Sequence, residues 1–171
     1  MNVIDIEYDD PGFAERAPEE MVRGRLNAIL SDLGVENVEF SCSFVSDDRI
    51  RELNRQWRGR DESTDILSFV QSDASGDGVD FDWPDVPLEN DYATDGGKEE
   101  GKFEGTLLGD MVISLDSLKR NADYFSVSED EELYRLLVHG VLHLLGEDHA
   151  TNDLSEPMLM RQEQILIRLR G

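Results

Sequence analysis

The three histidines of this 171-residue chain, His139, His143 and His149, fall within eleven consecutive residues. A lone histidine is ordinarily a hydrogen-bonded core residue, but three in so short a stretch, with none elsewhere, form a metal-ligating set. On a helix His139 and His143 stand one turn apart on one face, about 6 Å along the axis. Gly146 follows where such a helix should stop, so the chain can bend and bring His149 to the same point from a loop. Imidazole nitrogen suits Zn²⁺ or a similar borderline ion, one per chain, at roughly 2.0–2.1 Å. Three protein ligands with the fourth position open form the catalytic arrangement, whereas structural zinc is closed by four. Asp148 or another carboxylate competes for that fourth position, and Cys42, the only cysteine, lies far away in the chain. An open centre polarises a phosphoryl or carbonyl oxygen, or lowers the pKa of a water from roughly 15.7 towards about 7.

Gly140 stands where the H-E-x-x-H helix of metalloproteases carries its general base, so the protease reading loses that base. A glycine inside a helix costs about 1 kcal/mol against alanine, which calls for a reason such as close approach of another backbone or of substrate.

The run from His139 to His149, H-G-V-L-H-L-L-G-E-D-H, closely resembles the H-G-x-L-H-L-x-G-x-D-H signature of the YbeY family. Members of that family are bacterial metal-dependent endoribonucleases of small-subunit ribosomal RNA maturation and ribosome quality control. Asn54 to Phe69, N-R-Q-W-R-G-R-D-E-S-T-D-I-L-S-F, is similar to the family block N-x-x-x-R-x-x-D-x-P-T-D-V-L-S-F, and G-D-M-V-I-S from Gly109 to Ser114 to its G-D-I-x-I-S strand. Ser63 and Val70 stand where the family usually has proline, and neither is an expected ligand. The resemblance implies a single-strand endoribonuclease acting on an rRNA precursor; the lack of a span or signal peptide leads us to expect it in the cytoplasm, and its acidity admits ribosomal proteins or small-subunit assembly factors as further partners. Arg58 falls on the arginine of the family block that is held to be functionally important. Arg58 and His143 are therefore the expected catalytic residues, the guanidinium offering a bidentate fork where phosphate charge grows. Glu147, Asp148 and Asp65 are candidates for the general base by chemistry alone. Two other readings compete: a ribosome-assembly factor whose metal holds the fold, and a metal-dependent hydrolase of a non-RNA substrate.

Charge argues against nucleic acid at first sight. The formal net charge is −23, with 39 acidic residues against 16 basic ones, and RNA affinity comes largely from Lys and Arg neutralising phosphates. The distribution softens the objection, because Arg49, Arg51, Arg55, Arg58 and Arg60 cluster in twelve residues that contain only Glu52 as an acid. No apolar run reaches the eighteen or so residues of a membrane span, and the acidic start lacks the basic region of a signal peptide.

The elements that must position these residues follow from periodicity. A first strand over Val3 to Tyr8 ends at Asp9, Asp10, Pro11 and Gly12, and a helix from about Pro18 to Leu33 buries Met21, Val22, Leu26, Ile29, Leu30 and Leu33. Val38, Phe40, Cys42 and Phe44 alternate with polar residues as a half-buried strand, which makes Cys42 inert core. Ser46 or Asp47 caps a helix to about Trp57, and a polar turn leads to the strand Ile66 to Val70. Residues 71–102, rich in Asp and Glu with scattered Gly, Ser and Pro, form a largely irregular surface insertion carrying Phe81 and Trp83. Thr106 to Ser114 is a strand buried on both faces, whose Asp110 must be paired or orient a ligand histidine. A short helix over Leu115 to Tyr124, a helix launched by a Ser128–Glu131 capping box and carrying the histidines, and a helix from Glu156 to Arg170 with Met160, Ile165, Leu166 and Leu169 inward complete the chain. The order predicts one α+β domain over 1–171: a small mixed β-sheet packed by helices, with the metal helix central and buried.

Overall fold

A computed structural model of the chain describes residues 1–71, 105–149, 151 and 153–170. Among the described residues four strands, β1 (Val3–Tyr8), β2 (Val38–Val45), β3 (Ile66–Val70) and β4 (Thr106–Ser114), form one mixed sheet in the order β1-β2-β4-β3. β1 and β4 run parallel to β2, and β3 runs antiparallel to β4 at the sheet edge. Among the described residues six helices pack on this frame: α1 (Pro11–Arg16), α2 (Glu19–Asp32), α3 (Asp47–Arg58), α4 (Leu115–Phe125), α5 (Glu129–Leu144) and α6 (Pro157–Arg170). The expected α+β class and mixed sheet are borne out. The acidic insertion expected at 71–102, with Phe81 and Trp83, lies outside the described residues apart from Gln71.

α5 is the axis of the molecule. Leu133, Leu136, Leu137, Val141, Leu142 and Leu144 are all buried, as their spacing requires, and Tyr134 and Val138 are buried with them. They join Phe40, Phe44, Met111 and Ile113 from the sheet and Leu26, Leu30, Ile165 and Leu166 from α2 and α6 in one core. A smaller core beneath α3 contains Val45, Ile50, Leu67 and Val112. Ser46, Ser114 and Ser128 each cap a helix by accepting from the backbone N–H three residues on. The box at Ser128 is only half made, because the Glu131 carboxylate is drawn to Arg135 and Arg170.

Three local expectations are corrected. The residues that end β1 also begin α1, with the Asp10 carboxylate accepting from the Gly12 N–H at 2.8 Å and Pro11 in the first turn; the turn signal and the helix-start signal use the same residue types. Met160 is 49% exposed, and α6 instead buries Met158, Leu159, Gln162, Ile165 and Leu166. β4 is not continuous in register: Glu39 faces Leu107 and Phe40 faces Gly109, so Leu108 is a bulge, and Leu107 at the strand start is exposed. Among the described residues no helix is long and apolar enough to cross a membrane.

Candidate metal centre

α5 supplies His139 and His143 from one face, and their Nε2 atoms stand 3.0 Å apart. The helix then ends in a Schellman arrangement: the Gly146 N–H donates to His143 O at 2.9 Å and the Glu147 N–H to Leu142 O at 3.0 Å. Gly146 takes the left-handed φ of 96° that this ending needs. The reversed chain carries His149 to the other two, and one ligand atom from each of the three histidines lies within 4.8 Å of the others. Nitrogens bound tetrahedrally to zinc at about 2.0–2.1 Å stand roughly 3.3 Å apart, so the donor set fits one borderline divalent cation. Among the described residues no cysteine or carboxylate joins the cluster.

Hydrogen bonds select the ligating tautomer on two of the rings. His139 Nδ1 lies 2.6 Å from Gln162 Oε1 on α6, while Gln162 Nε2 donates to Glu163 at 3.1 Å. With the amide nitrogen committed to Glu163, the amide oxygen accepts from His139 Nδ1–H and leaves Nε2 with its lone pair. Glu163 is itself fixed by Arg135, whose Nε lies 3.0 Å from its carboxylate. His149 Nδ1 donates to the Thr151 carbonyl at 2.8 Å, which leaves its Nε2 free in the same way. His143 has the Glu147 backbone as its hydrogen-bonding neighbour, with the Asp148 carboxylate 3.9 Å from its Nδ1. Burial holds the His139 imidazole below its ordinary pKa, and burial together with the neighbouring His139 brings His143 down to about 4. Both are therefore neutral near pH 7, the form that ligates.

The histidines line a cavity of about 820 Å³ that is also lined by Arg58, Arg60, Ser63, Thr64 and residues of the edge strand β3. Arg58, the last residue of α3, donates from Nη2 to the Ser68 carbonyl at 2.6 Å and lies over the Phe69 ring at 5.7 Å. Ser68 Oγ is buried without a hydrogen-bond partner among the described residues. Asn54, 4% exposed, donates from Nδ2 to the Glu62 carbonyl at 2.9 Å and pins the turn whose residues Glu62, Ser63 and Thr64 also line the cavity.

Other residues singled out in the sequence fall elsewhere. Asp65 is absent from the cavity lining; its carboxylate accepts from Asn121 at 2.8 Å. Glu147 lines the cavity but is paired with Arg161 at 2.7 Å, whereas Asp148 is 86% exposed there. Asp110 accepts from Ser41 on the neighbouring strand and orients no histidine. Cys42 is fully buried, and burial pushes its thiol up to about 12. Arg51 is paired with Asp61 and Arg49 with Glu52. Gly140 owes its place to the sheet: a Cβ there would meet Ile66 Cδ1 and Met111 Cε at 3.0 Å. Gln162 and Asn54 were not assigned structural roles by sequence reasoning, and their burial on otherwise apolar helix faces is the signal they carry.

The family described as Endoribonuclease YbeY matches residues 4–170. The chain is 37% identical over 172 residues to the Endoribonuclease YbeY of Treponema denticola, covering 99% of this chain and 95% of that protein. It is 34% identical over 165 residues to that of Bacillus cytotoxicus, covering 96% and 94%, and 41% identical over 128 residues to that of Halalkalibacterium halodurans, covering 75% and 70%. A Thermotoga maritima protein solved in solution shares the fold with a TM-score of 0.57 at 24% identity, over 99% of this chain and 90% of that one.

Proposed function

The chain belongs to the Endoribonuclease YbeY family, and from that premise we propose that it is a metal-dependent, single-strand-preferring endoribonuclease of small-subunit (16S) rRNA maturation and ribosome quality control. We read 1–171 as one catalytic domain with an acidic insertion at 71–102, working in the cytoplasm on an rRNA precursor. The observation that carries this reading is the convergence of three imidazoles in a cavity that Arg58 also lines, with no carboxylate partner for that arginine among the described residues.

His139, His143 and His149 would hold one Zn²⁺ or similar ion. The chemistry such an ion supplies when bound is Lewis acidity towards a phosphoryl oxygen and a lowered pKa for water. The protein's own residues do the rest. Arg58 is held by the Ser68 carbonyl on one side, which leaves guanidinium N–H groups for a phosphate as its charge grows. Gln162 and Thr151 keep two rings in the ligating tautomer. Of the two acids before His149, Glu147 is committed to Arg161, so Asp148 is the one that retains a carboxylate oxygen for a proton. Asn54 holds the turn whose residues Glu62, Ser63 and Thr64 line the same cavity as the histidines.

The decisive experiment compares wild-type protein with His143→Ala, both incubated with metal, on a single-stranded RNA carrying rRNA sequence. Cleavage should fall by at least about a hundredfold, and bound metal should fall with it. Unchanged cleavage by the variant overturns the proposal. The excess of acid favours a second reading, an assembly factor that docks on basic ribosomal proteins around a structural ion. Chelation separates the two: a structural ion takes the melting transition down with it, while a catalytic one leaves a folded, inactive protein.

A further inference from the structure

The chain has thirteen arginines and a large surplus of carboxylates. Ten of the arginines pair with an acid: Arg16, Arg23, Arg25, Arg49, Arg51, Arg120, Arg135, Arg161, Arg168 and Arg170. The other three, Arg55, Arg58 and Arg60, have no carboxylate in ion-pair contact among the described residues, and all lie at the end of α3 or just beyond it. Arg58 and Arg60 line the cavity that contains the histidines, and Arg55 does not. In a molecule this acidic, two guanidinium groups that line one cavity and have no ion-pair partner among the described residues are suited to an external anion.

The backbone between them is built to present both. Gly59 takes the left-handed conformation, φ 67° and ψ 19°, that turns the chain sharply after Arg58. Asn54 O accepts from the Gly59 N–H and, at 3.2 Å, from the Arg60 N–H, while the Asn54 side chain holds Glu62. The main chain of Arg60 is thus fixed on both sides, yet its side chain makes no hydrogen bond among the described residues and is exposed. The cavity volume lies towards the upper end of the roughly 300–1,000 Å³ of small-molecule clefts, so it holds more than a single phosphate group.

We propose that Arg60 is a second phosphate-binding residue, which takes the RNA phosphate next to the one held by Arg58 and so sets the path of the strand across the cavity. This rests on the endoribonuclease reading. It assigns Arg60 to binding of the flanking strand and leaves the reacting phosphate to Arg58.

The test titrates a short fluorescein-labelled oligouridylate into wild-type, Arg60→Gln and Arg60→Lys proteins over a series of KCl concentrations, with cleavage kinetics alongside. For single strands, each lost phosphate contact reduces the slope of log affinity against log salt by about 0.7. Arg60→Gln should show that reduction, bind about three- to tenfold more weakly at moderate salt, and raise KM more than it lowers kcat. Arg60→Lys, which keeps the charge, should keep the wild-type slope, and equal melting temperatures would show that both variants fold. An Arg60→Gln protein with wild-type affinity and slope overturns the Arg60 assignment alone, as does an Arg60→Lys protein that loses the slope equally. Wild-type protein that neither binds the oligouridylate in a salt-dependent way nor cleaves RNA overturns the endoribonuclease reading, and the Arg60 assignment with it.

Discussion

At the scale of single residues, the site depends on groups that touch no substrate. Gln162 is buried at 6% exposure and accepts from His139 Nδ1, and Glu163 and Arg135 stand behind it. Replacing it with leucine keeps the volume but leaves the imidazole N–H unpaired and its tautomer unspecified. Gln162→Leu should weaken metal affinity by roughly 10- to 100-fold while the protein stays folded; a chelator competition that returns the wild-type affinity would refute this role. Sequence reasoning picked out the three histidines because they are close together and of one chemical type. It missed Gln162 because a glutamine on an amphipathic helix is ordinary, and because its partner lies 23 residues away. The inclusion of Met160 in the inward face of α6 has the same origin, since a hydrophobic side chain was taken as a buried one. Met160 sits off the stripe formed by Met158, Leu159, Gln162, Ile165 and Leu166.

Among the elements, β3 matters most for the site, because this short strand lines part of the cavity and, among the described residues, pairs only with β4 in the sheet. That pairing needs Gly109. Its φ is 129°, and a Cβ there would stand 2.0 Å from Phe69 O on β3, a clash with backbone that no rotamer relieves. Gly109→Ala should destabilise the protein by about 3 kcal/mol or more, read as a lower urea midpoint. A loss below about 0.5 kcal/mol, the size of an ordinary surface substitution, would show that the bulge can shift. The G-D-M-V-I-S motif makes Gly109 conspicuous in the sequence, but Leu107 and Leu108 read simply as continuing strand, and the bulge is settled by the register with β2. α5 is the opposite case. Its apolar repeat, Ser128 cap and Gly146 stop are all local signals, and the observed helix runs between them.

For the whole molecule, the junction around Asp47 contributes to stability against acid. Asp47 at the start of α3 binds Ser114 and Ser117 at the β4–α4 junction, each at 2.6 Å, and Arg120 at 2.8 Å. Desolvation raises the Asp47 pKa, but the hydrogen bonds from Arg120, Ser114 and Ser117 outweigh it and hold the carboxyl at about 2, below its ordinary 3.8. A group with a depressed folded pKa stabilises the protein above its unfolded pKa and loses that contribution as pH falls through the folded value. The shift corresponds to roughly 2 kcal/mol. Asp47→Asn should therefore be less stable than wild type by about 1–2 kcal/mol at neutral pH, and the gap should close between about pH 4 and pH 2. A gap that stays constant over that window would place the effect elsewhere. By itself the sequence determined what repeats locally: helix faces, strand alternation, the one-turn spacing of two histidines and the loop return of the third. These follow from the 3.6 and 2.0 residue periods and from capping chemistry, which neighbouring residues set among themselves. Only the tertiary structure decided the strand order β1-β2-β4-β3, the pairing of Gln162 with His139, the hold of Asn54 on Glu62, and which arginines acids neutralise. Those contacts join separate parts of the chain, and the side chains that make them are drawn together by packing of the common core, which no local repeat encodes.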